Sequence, residues 1–88
     1  MKILIIEDDT KIINFLKKGL EEECYIVDYS TNGDEGLYLA SVNQYDLILL
    51  DVMLPIKDGM EVCRSLRASN IQTPIIMLTA KDGIEDKI

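Results

Sequence analysis

The chain has 88 residues, 48% of them hydrophobic and 28% charged. That is one folded domain at most, and it excludes disorder, collagen-like repeats and low-complexity tracts. Nine Lys and Arg against sixteen Asp and Glu leave a net charge of −7, so nonspecific attraction to nucleic-acid phosphates or anionic lipid is not a function of these residues. His is absent, and Cys24 and Cys63 offer neither a metal-ligand spacing nor a disulfide framework. Both thiols are expected to be buried and reduced. Met1 and Lys2 precede an apolar run too short for a signal peptide, and no run approaches the roughly 20 residues needed to cross a bilayer. A cytoplasmic location with no membrane partner is expected.

In chain order, Ile3 to Ile6 form the first apolar segment, a continuous run of the kind that suits a parallel strand covered on both faces. Thr10 to Glu23 follows with Ile13, Leu16 and Leu20 at helical spacing, and Asp8, Asp9 or Thr10 could cap it. Ile12 and Phe15 add a second apolar stripe beside the first, more than one core contact requires. Tyr25 to Tyr29 interleaves Tyr25, Val27 and Tyr29 with Asp28 and Ser30, the alternation of a strand with one wetter side, as at a sheet edge. Asn32 and Gly33 open a second helix through Leu37, Leu39, Ala40 and Val42. Leu47 to Leu50 repeats the buried-strand pattern, Gly59 opens a third helix carrying Val62, Cys63 and Leu66, and Pro74 restarts an extended segment, Ile75 to Leu78. Strict alternation of strand and helix predicts an α/β doubly wound parallel sheet.

In such a sheet ligands bind beyond the carboxyl ends of the strands. The first strand ends in Glu7, Asp8 and Asp9, the third in Asp51 and the fourth in Thr79. If these strands are neighbours, several carboxylates and a hydroxyl share one rim. Taken singly, acidic residues suit a helix start, an Asp suits a turn and a Thr suits a strand end. Independent capping would not need every one of them on the same rim. Two like charges about 4 Å apart repel by roughly 4 kcal/mol at an effective dielectric of 20, so such a cluster takes up protons or holds a cation. An all-oxygen ligand set favours Mg²⁺ or another hard cation. Pro55 and Gly59 shape the loop after Asp51 so that backbone groups can lie near that side chain.

Four stretches carry a resemblance: Ile5-Ile6-Glu7-Asp8-Asp9; Tyr45-Asp46-Leu47-Ile48-Leu49-Leu50-Asp51-Val52-Met53-Leu54-Pro55; Asp58-Gly59; and Pro74-Ile75-Ile76-Met77-Leu78-Thr79-Ala80. In order and spacing they resemble the receiver domain of bacterial two-component response regulators, in the style of the OmpR/PhoB-type transcription factors, over nearly the whole chain. The resemblance implies a flavodoxin-like sheet with strand order 2-1-3-4 and a phosphoryl group passed from a sensor histidine kinase to Asp51. It further implies Mg²⁺ bound by Asp8 and Asp51, by Glu7 through a water and by the Met53 backbone carbonyl. Thr79 and the Ala80 N–H would contact the phosphoryl group, Ile12 and Phe15 would dock the kinase, and Asp9 is left to capping. It implies slow self-hydrolysis of the phosphorylated chain rather than a turnover enzyme, and control of DNA only through a further C-terminal output domain.

Family members continue into a fifth strand, with a Lys at its end, and a fifth helix, so residues 1–88 are expected to be a receiver incomplete at its C-terminus. A fourth strand with a bare edge would invite a non-native dimer or strand swap. The alternative is a phosphorylation-incompetent pseudo-receiver or interaction fragment. A haloacid-dehalogenase-type phosphatase would need an Asp where Met53 stands, a Toprim-like nuclease lacks its Asp-x-Asp, and no Gly-x-Gly-x-x-Gly follows the first strand for a dinucleotide.

Overall fold

The computed structural model describes residues 1–55 and 57–78. Strands and helices alternate as β1 (Lys2–Ile6), α1 (Thr10–Glu22), β2 (Ile26–Ser30), α2 (Gly33–Val42), β3 (Leu47–Asp51), α3 (Gly59–Ala68) and β4 (Ile75–Leu78). The four strands form one parallel sheet in the order β2-β1-β3-β4, the topology implied by the resemblance. Among the described residues no helix is long and apolar enough to cross a membrane.

The continuous Ile/Leu runs of β1 and β3 are explained by burial on both faces, whereas the run in β4 is only partly covered among the described residues, Ile76 being exposed. Successive side chains of a strand point to opposite sides. Leu4, Ile6, Ile48 and Leu50 therefore join Ala40 of α2 and Val62 and Leu66 of α3 in one core, whereas Ile3, Ile5 and Leu49 join Val27 and Ile13 of α1 in the other. The same pairing sets the functional rim. Ile6 lies opposite both Ser30 and Leu50, and Asp51 lies opposite Leu78, so the strands end in line and the next residues emerge together.

Each helix starts on an Asx side chain that accepts an amide proton left over by helix geometry. Asp9 accepts from Lys11 at 2.9 Å, Asn32 from Glu35 at 2.8 Å and Asp58 from Glu61 at 2.9 Å. Two helices end with a residue in the left-handed region, Cys24 after α1 (φ 71°) and Asn70 after α3 (φ 66°). In both the following amide returns to the last turn, Tyr25 N to Leu20 O at 3.2 Å and Ile71 N to Leu66 O at 3.0 Å.

That cap accounts for two departures from expectation. Tyr25 still belongs to the helix end, so β2 begins one residue later than the pattern suggested. Cys24 is exposed and Cys63 is half-buried against the core, so neither thiol is fully buried; the left-handed cap leaves the Cys24 side chain outside. β2 is an edge strand, as predicted, with Val27 buried and Asp28 partly exposed as the alternation suggested, but the pattern inverts at its last two residues. Ser30 is 1% exposed while Tyr29 is 50% exposed, because the Ser30 hydroxyl turns inward to the start of α2, 2.8 Å from the Asn32 carbonyl.

Candidate functional site

Two strand ends turn in the same way. After β1, Glu7 Oε2 accepts the Asp9 amide at 3.0 Å; after β3, Asp51 Oδ1 accepts the Met53 amide at 3.0 Å. A carboxylate that binds the backbone two residues on is a turn-forming device, and here it fixes the acid at the mouth of its own turn. Glu7 is further tied to the neighbouring strand, its amide donating to the Ser30 carbonyl at 3.0 Å. Gly59 folds the loop after Asp51 back onto β3, donating to Val52 O at 2.9 Å. A Cβ on Gly59 would collide with the Asp51 carbonyl oxygen and reach within 2.8 Å of Val52 Cα.

The turns bring Glu7, Asp8 and Asp51 together, with one carboxylate oxygen of each within 4.8 Å of the others. Glu7 is 3% and Asp51 1% exposed, while Asp8 faces solvent. Among the described residues, none of the ion pairs involves these carboxylates. Two signs of electrostatic tension follow. Burial, chiefly, pushes the Glu7 carboxyl up to about 7; the Asp9 amide opposes the rise, and the neighbouring Asp51 charge adds to it. Asp51 Oδ2 is fully buried and has no hydrogen-bond partner among the described residues. A buried carboxylate oxygen without a partner is costly, and a hard cation held by the three acids would satisfy it. The donor set is all oxygen, which fits Mg²⁺ chemistry.

Of the predicted site residues, Glu7, Asp8 and Asp51 are therefore brought together; Met53, expected to contribute its carbonyl, contacts Asp51 through its amide instead, and its side chain is exposed. Asp9 caps α1, as expected. Ile12 and Phe15 lie on α1, Ile12 half-buried and Phe15 78% exposed. Thr79 and Ala80 lie outside the described residues. Ser30 was not among the sequence candidates, although its carbonyl anchors Glu7; a Ser at a strand end carries no signal that separates such a role from an ordinary turn.

Among known protein families, the model of the response regulator receiver domain matches residues 3–88. The chain belongs to that family. This receiver domain is 49% identical to the transcriptional regulatory protein PcoR of Escherichia coli over 99% of its own length and 38% of that relative. The chain thus spans about two fifths of the length of the curated relatives it matches. Among solved structures it superposes on the receiver domain of the Francisella response regulator 1452 with a TM-score of 0.87 at 41% identity, covering 98% of this chain and 71% of that one. The response regulator TrrA of Thermotoga maritima, solved in complex with Mg²⁺-BeF, gives a TM-score of 0.86 at 34% identity, covering 99% of this chain and 76% of that one. A receiver domain is a phosphorylation-responsive signalling module rather than a turnover enzyme.

Proposed function

We propose that Asp51 of this receiver domain is the phosphoacceptor. A carboxylate oxygen of Asp51 attacks the phosphorus of a phosphohistidine on a sensor histidine kinase, the P–N bond breaks, the imidazole leaves and an aspartyl phosphate forms. The observation that carries this reading is the buried Asp51 carboxylate, one oxygen held by the Met53 amide and the other without a hydrogen-bond partner among the described residues, beside Glu7 and Asp8. The hydrogen bond from Met53 orients the carboxylate, and burial withholds competing water, so the chain contributes chiefly positioning. Mg²⁺, held by Asp8 and Asp51 directly, by Glu7 through a water and by the Met53 carbonyl, would supply positive charge to the equatorial phosphoryl oxygens. Thr79 and the Ala80 amide are assigned to the phosphoryl oxygens.

On the same reading the domain takes phosphate from small-molecule donors, hydrolyses its own aspartyl phosphate slowly, meets the kinase through Ile12 and Phe15 in the cytoplasm, and in the whole protein governs a DNA-binding output domain. The test is incubation with acetyl phosphate and Mg²⁺ beside Asp51→Asn, read by intact mass. One added phosphoryl group that disappears in Asp51→Asn is expected. A folded chain that gains none, or an adduct that survives in the variant, refutes the assignment.

A further inference from the structure

The segments assigned to the cation are not neighbours in sequence, yet the first turn of α2 touches the surroundings of both. On one side Ser30 carries the Glu7 amide on its carbonyl, and its hydroxyl lies 2.8 Å from the Asn32 carbonyl and 3.1 Å from Glu35 Oε1. On the other side Gly33 is pressed against the loop that follows Asp51. A Cβ there would stand 2.7 Å from the Lys57 carbonyl oxygen and 2.8 Å from Val62 Cγ2, distances that real side chains do not tolerate, with backbone on one side and a fully buried valine on the other. Lys57 Nζ then reaches back to Asp34 at 3.8 Å.

We infer that this turn is a brace: Ser30, Gly33 and Lys57 are positioning residues that set the separation between the Glu7 end of β1 and the loop bearing Met53, and so the size of cation the carboxylates accept. The inference rests on the cation site proposed above. Its physical basis is that Mg²⁺ demands near-ideal octahedral geometry at short bonds, whereas Ca²⁺ tolerates longer and irregular ones. A brace that holds the two segments close selects the smaller ion. Loosening it should cost Mg²⁺ more than Ca²⁺, while a merely structural role would weaken both together.

The experiment is calorimetric titration of Mg²⁺ and of Ca²⁺ into the chain and into Gly33→Ala, Lys57→Ala and Ser30→Ala, with thermal melts of each. In Gly33→Ala, Mg²⁺ binding should weaken by about tenfold or more, the loss usual when support behind a ligand is removed, with Ca²⁺ binding falling much less. Lys57→Ala breaks a long pair whose Asp34 partner is exposed, so a smaller change in the same ratio is expected, about two- to threefold, and Lys57→Arg should keep the parent ratio. If Gly33→Ala does not fold, Lys57→Ala decides. A Mg²⁺ to Ca²⁺ affinity ratio unchanged in the folded variants, or equal losses for both ions tracking a lower melting temperature, overturns the brace while leaving the site. A parent chain that binds no Mg²⁺ overturns the site itself, and the brace with it.

Discussion

Asp51→Asn removes one of three carboxylates that approach within 4.8 Å of one another and leaves an isosteric side chain whose oxygen can still accept the Met53 amide. Two full charges at that separation repel by about 3.5 kcal/mol at an effective dielectric of 20. The sum is smaller here. Asp8 is exposed, so solvent and salt screen its share, and Glu7, with its carboxyl pushed up to about 7, carries only part of a charge at neutral pH. We expect the variant to be more stable than the parent by about 1–2 kcal/mol in EDTA, a rise in Tm of roughly 5–10 °C for a chain of this size. Mg²⁺ should reverse the comparison. At a free concentration one hundred times its Kd a single bound ion adds about 2.7 kcal/mol to the parent, and the variant, short of one ligand, should gain little. Far-UV circular dichroism melts of both chains with EDTA and with Mg²⁺ test both halves. A variant that melts below the parent in EDTA, or that rises as much as the parent on adding Mg²⁺, would show that the three acids are not in electrostatic conflict relieved by a cation.

The raised Glu7 carboxyl gives a pH dependence of definite sign. Because the folded value, about 7, lies above the ordinary 4.5, the stability this group contributes is present in full below about pH 4.5 and lost as pH rises through about 7. Melts in EDTA should show that loss in the parent, and Glu7→Gln should lack it; matching pH profiles for the two chains would contradict the assignment. The helical glycines Gly36 and Gly19 should respond in opposite directions to alanine. A Cβ on Gly36 would stand 2.6 Å from Ile6 Cδ1, and the overpacking cost of about 1–3 kcal/mol outweighs a helix-propensity gain of about 1 kcal/mol. Gly19→Ala, with nothing within 4 Å of the new methyl, should instead stabilise by about 0.5–1 kcal/mol, and urea midpoints falling in the same direction for both would refute this reading. Phe15→Ala should slow phosphoryl transfer from the kinase while leaving Mg²⁺ affinity unchanged, measured by phosphotransfer assay and titration; equal transfer rates would remove Phe15 from the kinase contact.

The sequence by itself determined the element types, their order and the identity of the acids. Ile3 to Ile6 and Leu47 to Leu50 could be read as strands because burial on both faces demands continuous apolar runs. Asp9 and Asn32 could be read as helix starts because a short polar side chain at that point satisfies local amides. The candidate site was legible for a related reason: Glu7, Asp8 and Asp51 follow directly on apolar runs, and a parallel sheet brings strand ends to one rim.

Only the tertiary structure decided how those residues are solvated and supported. Glu7 and Asp8 are adjacent acids, yet one is buried against Asp51 and the other faces water, a difference made by the turn that Asp9 closes on Glu7. Polarity misjudged Ser30 and Tyr29 because exposure at a sheet edge depends on which helix covers it, here the start of α2 over Ser30. Cys24 lies outside because the cap of α1 needs a left-handed residue at that point. Gly33 meets Lys57, far along the chain, only after α2 has packed on α3. Local pattern encodes period and capping, but contacts between distant segments arise from packing, and in this receiver domain those contacts hold the acids in place.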